Sequence, residues 1–97
     1  MSKAIEVVVF RAIAGTTPEQ LQAAALAVTP ILASLPGFIS REFGASEDGQ
    51  FIDIVHWQDL ASAKQAAEKV MSIPACGQFF GLIEQSSMQF MHFNKVE

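Results

Sequence analysis

Ninety-seven residues make one domain, spanning 1–97, with no room for a separate catalytic module. The net charge is -4, and the basic residues Lys3, Arg11, Arg41, Lys64, Lys69 and Lys95 are scattered, which excludes a basic stripe for nucleic acid. Apolar residues make up 51% of the chain and charged ones only 16%, more apolar surface than a small monomer comfortably hides and a first sign of a partner subunit.

Ile5 to Ala12 reads as a first strand dense in β-branched residues, with Ile5, Val7 and Val9 on one face and Val8 with Phe10 on the other. Gly15-Thr16 breaks it. Thr17 then serves as the N-cap of a helix, with Pro18 at the first helical position and Gln20 completing a capping box. Leu21, Ala24, Ala25, Val28, Ile31, Leu32 and Leu35 recur on one helical face, Pro30 should kink the helix, and Pro36-Gly37 ends it.

Phe38 to Ala45 and Gln50 to Trp57 form two further strands, joined by Ser46-Glu47-Asp48-Gly49, whose Asp-Gly is a hairpin signal. Asp59 caps a second helix over Leu60 to Met71 with Leu60, Ala63, Ala67 and Val70 inward. Pro74 interrupts it. Ala75 to Ile83 holds a short third helix, with Phe79, Phe80, Leu82 and Ile83 as packing residues, and Ser87 to Phe93 alternates as the last strand.

The order β-α-β-β-α-β, with an extra short helix before the final strand, is the ferredoxin-like α+β arrangement around a four-stranded antiparallel sheet. Right-handed crossovers place both main helices on one face of that sheet. The first and third strands are apolar on both faces, so the second face needs a cover. An identical sheet from another chain is the economical one, and a homodimer is expected.

The third strand carries the main candidate for chemistry. Period-two geometry puts Phe51, Asp53, Val55 and Trp57 on one face. A carboxylate on an apolar strand costs several kcal/mol unless it is paired, hydrated or protonated. If that face meets the helices, burial would raise the Asp53 pKa and make it a base for a weakly acidic phenol or an activated C–H. The structural alternative is a pairing of Asp53 with Arg11, Arg41 or backbone donors that only fixes the strand. Trp57 is either an aromatic wall for a substrate or a packing residue whose N–H finds a partner.

His56 faces away from Asp53, toward the expected subunit interface, and His92 shares its face with Met88 and Phe90. The two are neither neighbours nor joined to a suitable carboxylate, so no metal site is expected. Cys76 is the only cysteine, which rules out an internal disulfide, and no flanking Lys, Arg or His activates it. No apolar run approaches the roughly 20 residues of a membrane span, and the N-terminus lacks the pattern of a signal peptide. The expected location is the cytoplasm.

With Leu35-Pro36-Gly37-Phe38 leading into the second strand, a hydrophobic third strand closed by Trp57, and the acid-led helix Asp59-Leu60-Ala61-Ser62-Ala63 directly after it, the chain resembles the antibiotic biosynthesis monooxygenase superfamily of dimeric α/β-barrels. The similarity spans about residues 3 to 93. In quinone-forming members, which are cofactor-free oxygenases, the resemblance implies an asparagine four residues before the tryptophan, both facing a pocket between sheet and helices. Here that pair is Asp53 and Trp57. Phe51, Val55, Phe79 and Phe80 are the expected pocket residues.

The tyrosine of those enzymes has no counterpart in a chain without tyrosine, and Gly77 stands where their arginine is expected. The heme-degrading members use an asparagine on the first strand, a second tryptophan near positions 65 and 66, and a histidine near 75 and 76. This chain has none of them, which argues against heme degradation. The expectation is a cofactor-independent monooxygenase of an aromatic quinol- or anthrone-like molecule, with no cofactor and with Asp53 and Trp57 as catalytic residues. The alternative is a non-catalytic dimeric barrel that binds a small apolar ligand.

Overall fold

The structure, a computed structural model, describes residues 2–97. The elements are β1 (Ala4–Phe10), α1 (Pro18–Ala33), β2 (Phe38–Ala45), β3 (Phe51–Trp57), α2 (Leu60–Val70), α3 (Pro74–Phe80), a single 3₁₀ turn (Gln85–Ser87) and β4 (Gln89–Asn94). The sheet has the order β2-β3-β1-β4 and every pairing is antiparallel, the ferredoxin-like α+β fold expected from the element order.

Local chemistry sets the element ends. The Thr17 hydroxyl accepts from the Gln20 amide at 3.1 Å while the Gln20 side chain accepts from the Thr17 amide at 2.9 Å, so the capping box forms as read. Pro30 lies inside α1 without ending it. The carbonyl it leaves without a donor belongs to Leu26, which is 57% exposed and within reach of water. The β2–β3 hairpin turns at Gly49, with φ +91°, and Ser46 N–H donates to Gln50 O at 2.7 Å.

Three boundaries differ from the sequence reading by two residues or more. β1 stops at Phe10 because the chain then leaves β3. Arg11 N–H donates to Ser87 Oγ at 2.8 Å, Glu84 N–H donates to Arg11 O at 2.8 Å, and Ala12 bridges Ile83. The same contacts draw Ile83 out of α3, which ends at Phe80 with Gly81 as its C-cap. β4 begins at Gln89 because the 3₁₀ turn occupies Gln85–Ser87.

Both main helices cover one face of the sheet. Leu21, Ala25, Val28 and Leu32 of α1 and Ala63, Ala66 and Val70 of α2 are buried against Ala4, Phe10, Val55 and Trp57. The β1 partners show which residues share the opposite face: Ile5 lies across from His56 and Phe93, Val7 from Ile54 and Met91, and Val9 from Ile52 and Gln89. Among the described residues no element lies over this apolar face, and Phe93 remains 48% exposed.

Gly37 makes the corner between α1 and β2. Its φ is +87°, and a Cβ there would lie 2.5 Å from both Cβ and Oγ of Ser62 at the start of α2. Left-handed backbone costs a residue with a Cβ about 1–2 kcal/mol, and the clash adds to it. Gly37→Ala is therefore expected to destabilise the fold by at least about 2 kcal/mol, read as a lower urea midpoint at unchanged slope.

Candidate active site

Asp53 faces the helices, as the strand alternation requires, and it is the one buried acid among the described residues. Its partner is Arg41 on the neighbouring strand. Arg41 Nε and Nη2 donate to the two Asp53 carboxylate oxygens at 2.9 and 2.7 Å, a bidentate pair with the side chains only 2% and 9% exposed. Arg41 Nη1 donates to Ala25 O at 2.5 Å and to Thr29 Oγ1 at 2.9 Å on α1. The guanidinium also sits 5.6 Å from the Phe43 ring centroid and 5.8 Å from that of Phe79. Arg11, the other arginine considered for Asp53, instead clamps the hairpin through Asp48.

Above this pair the layer between sheet and helices opens into a cavity of about 300 Å³. Val28 and Leu32 of α1, Ala67 and Val70 of α2 with Met71 just after it, and Phe79 and Phe80 of α3 form its roof and walls. The sheet contributes Glu6, Val8, Asp53, Val55 and Phe90, and Met88 just before β4 adds to the lining. Met71, Met88 and Phe90 are exposed enough to rim its mouth. Small side chains on α2 leave the space, and the short α3 walls it with two phenyl rings.

Of the sequence-expected residues, Asp53, Val55, Phe79 and Phe80 meet at this cavity. Phe51 does not line it: its ring stacks on Phe10 and Phe43, with centroids 5.7 and 6.0 Å apart. Trp57 does not line it either. At the far end of β3 it is fully buried, edge-on to Phe38 at 5.8 Å, and its Nε1 has no hydrogen-bond partner among the described residues. Strand alternation gives the face of a side chain but not its position along the layer, and Trp57 lies beyond the cavity. His56 sits on the outer sheet face opposite Ile5 and Ser40. Cys76 is fully buried, and burial pushes its thiol above the ordinary value against the opposing charge of Arg41.

A second acid was missed in the sequence. Glu6 on β1 faces the cavity and accepts from or donates to His92 Nε2 at 2.9 Å, its direct cross-strand neighbour on β4. His92 is thus joined to a carboxylate after all, through a strand pairing that separates the two by most of the chain. The available signal was alternation itself, which puts Glu6 on the face of Val8 and Phe10. Burial raises the Glu6 carboxyl above its usual 4.5; the hydrogen bond and charge of His92 pull it down, the Asp53 charge pushes up, and Arg41 pulls down. Among the described residues no group of three or more His, Cys, Asp and Glu side chains is placed to hold a metal ion.

No protein-family model matches the chain, and no curated protein does. Solved structures match over its whole length. SnoaB, a cofactor-independent oxygenase from Streptomyces nogalater, superposes with a TM-score of 0.83 at 15% identity, covering 100% of this chain and 96% of that one. A candidate antibiotic biosynthesis monooxygenase from Nitrosomonas europaea gives 0.79 at 11% identity, over 98% and 91% of the two chains. The chain shares the fold of these solved structures. A dimeric ferredoxin-like protein from Thermobifida fusca gives 0.76 at 14%, over 97% and 92%.

Within this fold Asp53 faces the cavity, whereas Trp57 is fully buried against Phe38. No described helix is long and apolar enough to cross a membrane.

Because the folded-state pKa of Glu6 is raised, its carboxyl contributes stability at acid pH, and that contribution is lost as pH rises from about 4.5 through the folded value. Glu6→Gln lacks this titration and keeps the side-chain volume. The melting temperature of the variant relative to wild type is therefore expected to rise with pH across that window. A flat or falling difference in melts recorded from pH 4 to 8 would remove the burial argument.

Proposed function

We propose that the protein is a cofactor-independent monooxygenase of a small aromatic quinol- or anthrone-like molecule, working as a homodimer. One observation carries the reading: an apolar, ring-lined cavity into which two carboxylates, Asp53 and Glu6, project on a fold shared with a cofactor-independent oxygenase. An aromatic substrate held there needs a base and a dry surrounding. Glu6 has one carboxylate oxygen without a partner among the described residues, and burial raises its pKa toward the working range of a general base. Asp53, the base expected from the sequence, has both oxygens held by Arg41 and serves here to accept from and orient a substrate hydroxyl. Trp57 supports the strand end rather than touching the substrate.

The chemistry balances without a cofactor. Glu6 takes a proton from the activated carbon and the electron pair stays on the substrate as a carbanion or phenolate. Its electrons pass to molecular oxygen, one oxygen atom remains as the new carbonyl, and the other leaves as water with the two hydrogens of the former CH₂. Wild-type protein should therefore consume oxygen with an anthrone, and Glu6→Gln should lose about 10²–10⁴-fold in kcat. Absence of turnover above buffer across a panel of such compounds would sink the enzyme reading. The alternative, a non-catalytic barrel that binds a small apolar ligand, draws support from the sealing of Trp57 and the engagement of both Asp53 oxygens. It predicts binding without oxygen uptake.

The dimer rests on the uncovered sheet face of Ile5, Val7, Val9, Ile52, Ile54, Met91 and Phe93, which a second copy would cover. Sedimentation equilibrium at micromolar concentration should give twice the chain mass, and a monomer would contradict it.

A further inference from the structure

We infer that the cavity selects aromatic ligands that donate hydrogen bonds and carry no negative charge, phenols rather than carboxylates, with Glu6 as the selecting residue. The inference rests on the proposed function only in taking this cavity as the place of the substrate. It follows from a census of what the wall offers. Two carboxylates face the space, and carboxylates accept but do not donate.

The cation nearest to them gives nothing to a ligand. Arg41 is 2% exposed, and four of its N–H groups are committed to Asp53, Ala25 O and Thr29 Oγ1. His92 does not line the cavity, and its Nε2 is held by Glu6. The one side-chain N–H donor on the described wall is the amide of Gln85, which is exposed and stands at the mouth. The three helices present only apolar side chains. A buried ligand carboxylate would lose its water and meet acidic side chains on the sheet wall, with no buried donor in return. A phenol hydroxyl in the same place has the free oxygen of Glu6 to bond.

The test is isothermal titration at pH 7.5 with two probes of the same ring system, 1-naphthol and 1-naphthoate, on wild type and Glu6→Gln. The expected result is saturable binding of 1-naphthol with at least about tenfold weaker binding of 1-naphthoate, and a gap several-fold narrower in Glu6→Gln. Equal or tighter binding of 1-naphthoate by wild type would overturn the inference, and so would binding of neither probe. An unchanged gap in Glu6→Gln would remove Glu6 as its cause. The wild-type ratio stands as a test by itself if the variant does not fold. Oxygen uptake read on the same preparation separates the two ideas, because selectivity without turnover supports the inference while ending the monooxygenase reading.

Discussion

The Arg41–Asp53 pair is the contact on which the architecture of the site depends. Without a partner, a carboxylate in the middle of β3 would be a buried charge facing phenyl rings and aliphatic side chains. The guanidinium meets both of its oxygens and uses its remaining nitrogen on α1, through Ala25 O and Thr29 Oγ1. The Ala25 carbonyl can take this extra donor because a carbonyl has two lone pairs and the helix uses one. A single side chain therefore fastens β2, β3 and α1 and lies against Phe79 of α3. Removing one partner of such a pair costs about 3–5 kcal/mol, a large part of the roughly 5–15 kcal/mol that holds a domain folded. An apolar pair of equal volume could match that stability, but it would not fix the helix over the strands at one register.

That constraint explains where the empty space lies. Around Arg41 the layer is filled by the rings of Phe10, Phe43, Phe51 and Phe79. Toward β1 and β4 the helix above is α2, whose sheet-facing positions are mostly alanine, Ala63, Ala66 and Ala67. Short side chains there cannot reach the strands beneath, and the gap between them is the cavity. It opens toward the edge strand, where Met88 and Phe90 are exposed. The dense aromatic end and the open alanine end of one layer thus have different jobs: the first holds the elements, the second leaves room.

Local rules made most of the fold legible. Thr17, Pro18 and Gln20 announce α1 because a capping box is satisfied within one turn, and Asp48-Gly49 announces the hairpin because only the turn itself must be satisfied. Alternation along β3 placed Asp53 toward the helices for the same reason. What failed to show was whatever depends on pairing across the sheet. The choice between Arg11 and Arg41 was settled by β2 standing beside β3, while Arg11 was drawn to the hairpin tip. Glu6 and His92 are separated by 86 residues and become neighbours only through the β1–β4 register. Trp57 was assigned the right face but the wrong neighbours, since its distance along the strand from Asp53 carries it out of the cavity and under Phe38.

Two carboxylates share one apolar space, and their counterions differ in kind. Asp53 is matched by a guanidinium, a cation that does not give up its proton in a protein. Glu6 is matched by the imidazole of His92, through a single contact at 2.9 Å. The two pairs share no hydrogen bond, although the charges of Asp53 and Arg41 act on Glu6 across the cavity. The bidentate pair that ties β2, β3 and α1 is thus separate in its hydrogen bonds from the Glu6–His92 pair on β1 and β4, so a small core with little stability to spare holds two buried acids on one sheet face, each with its own partner.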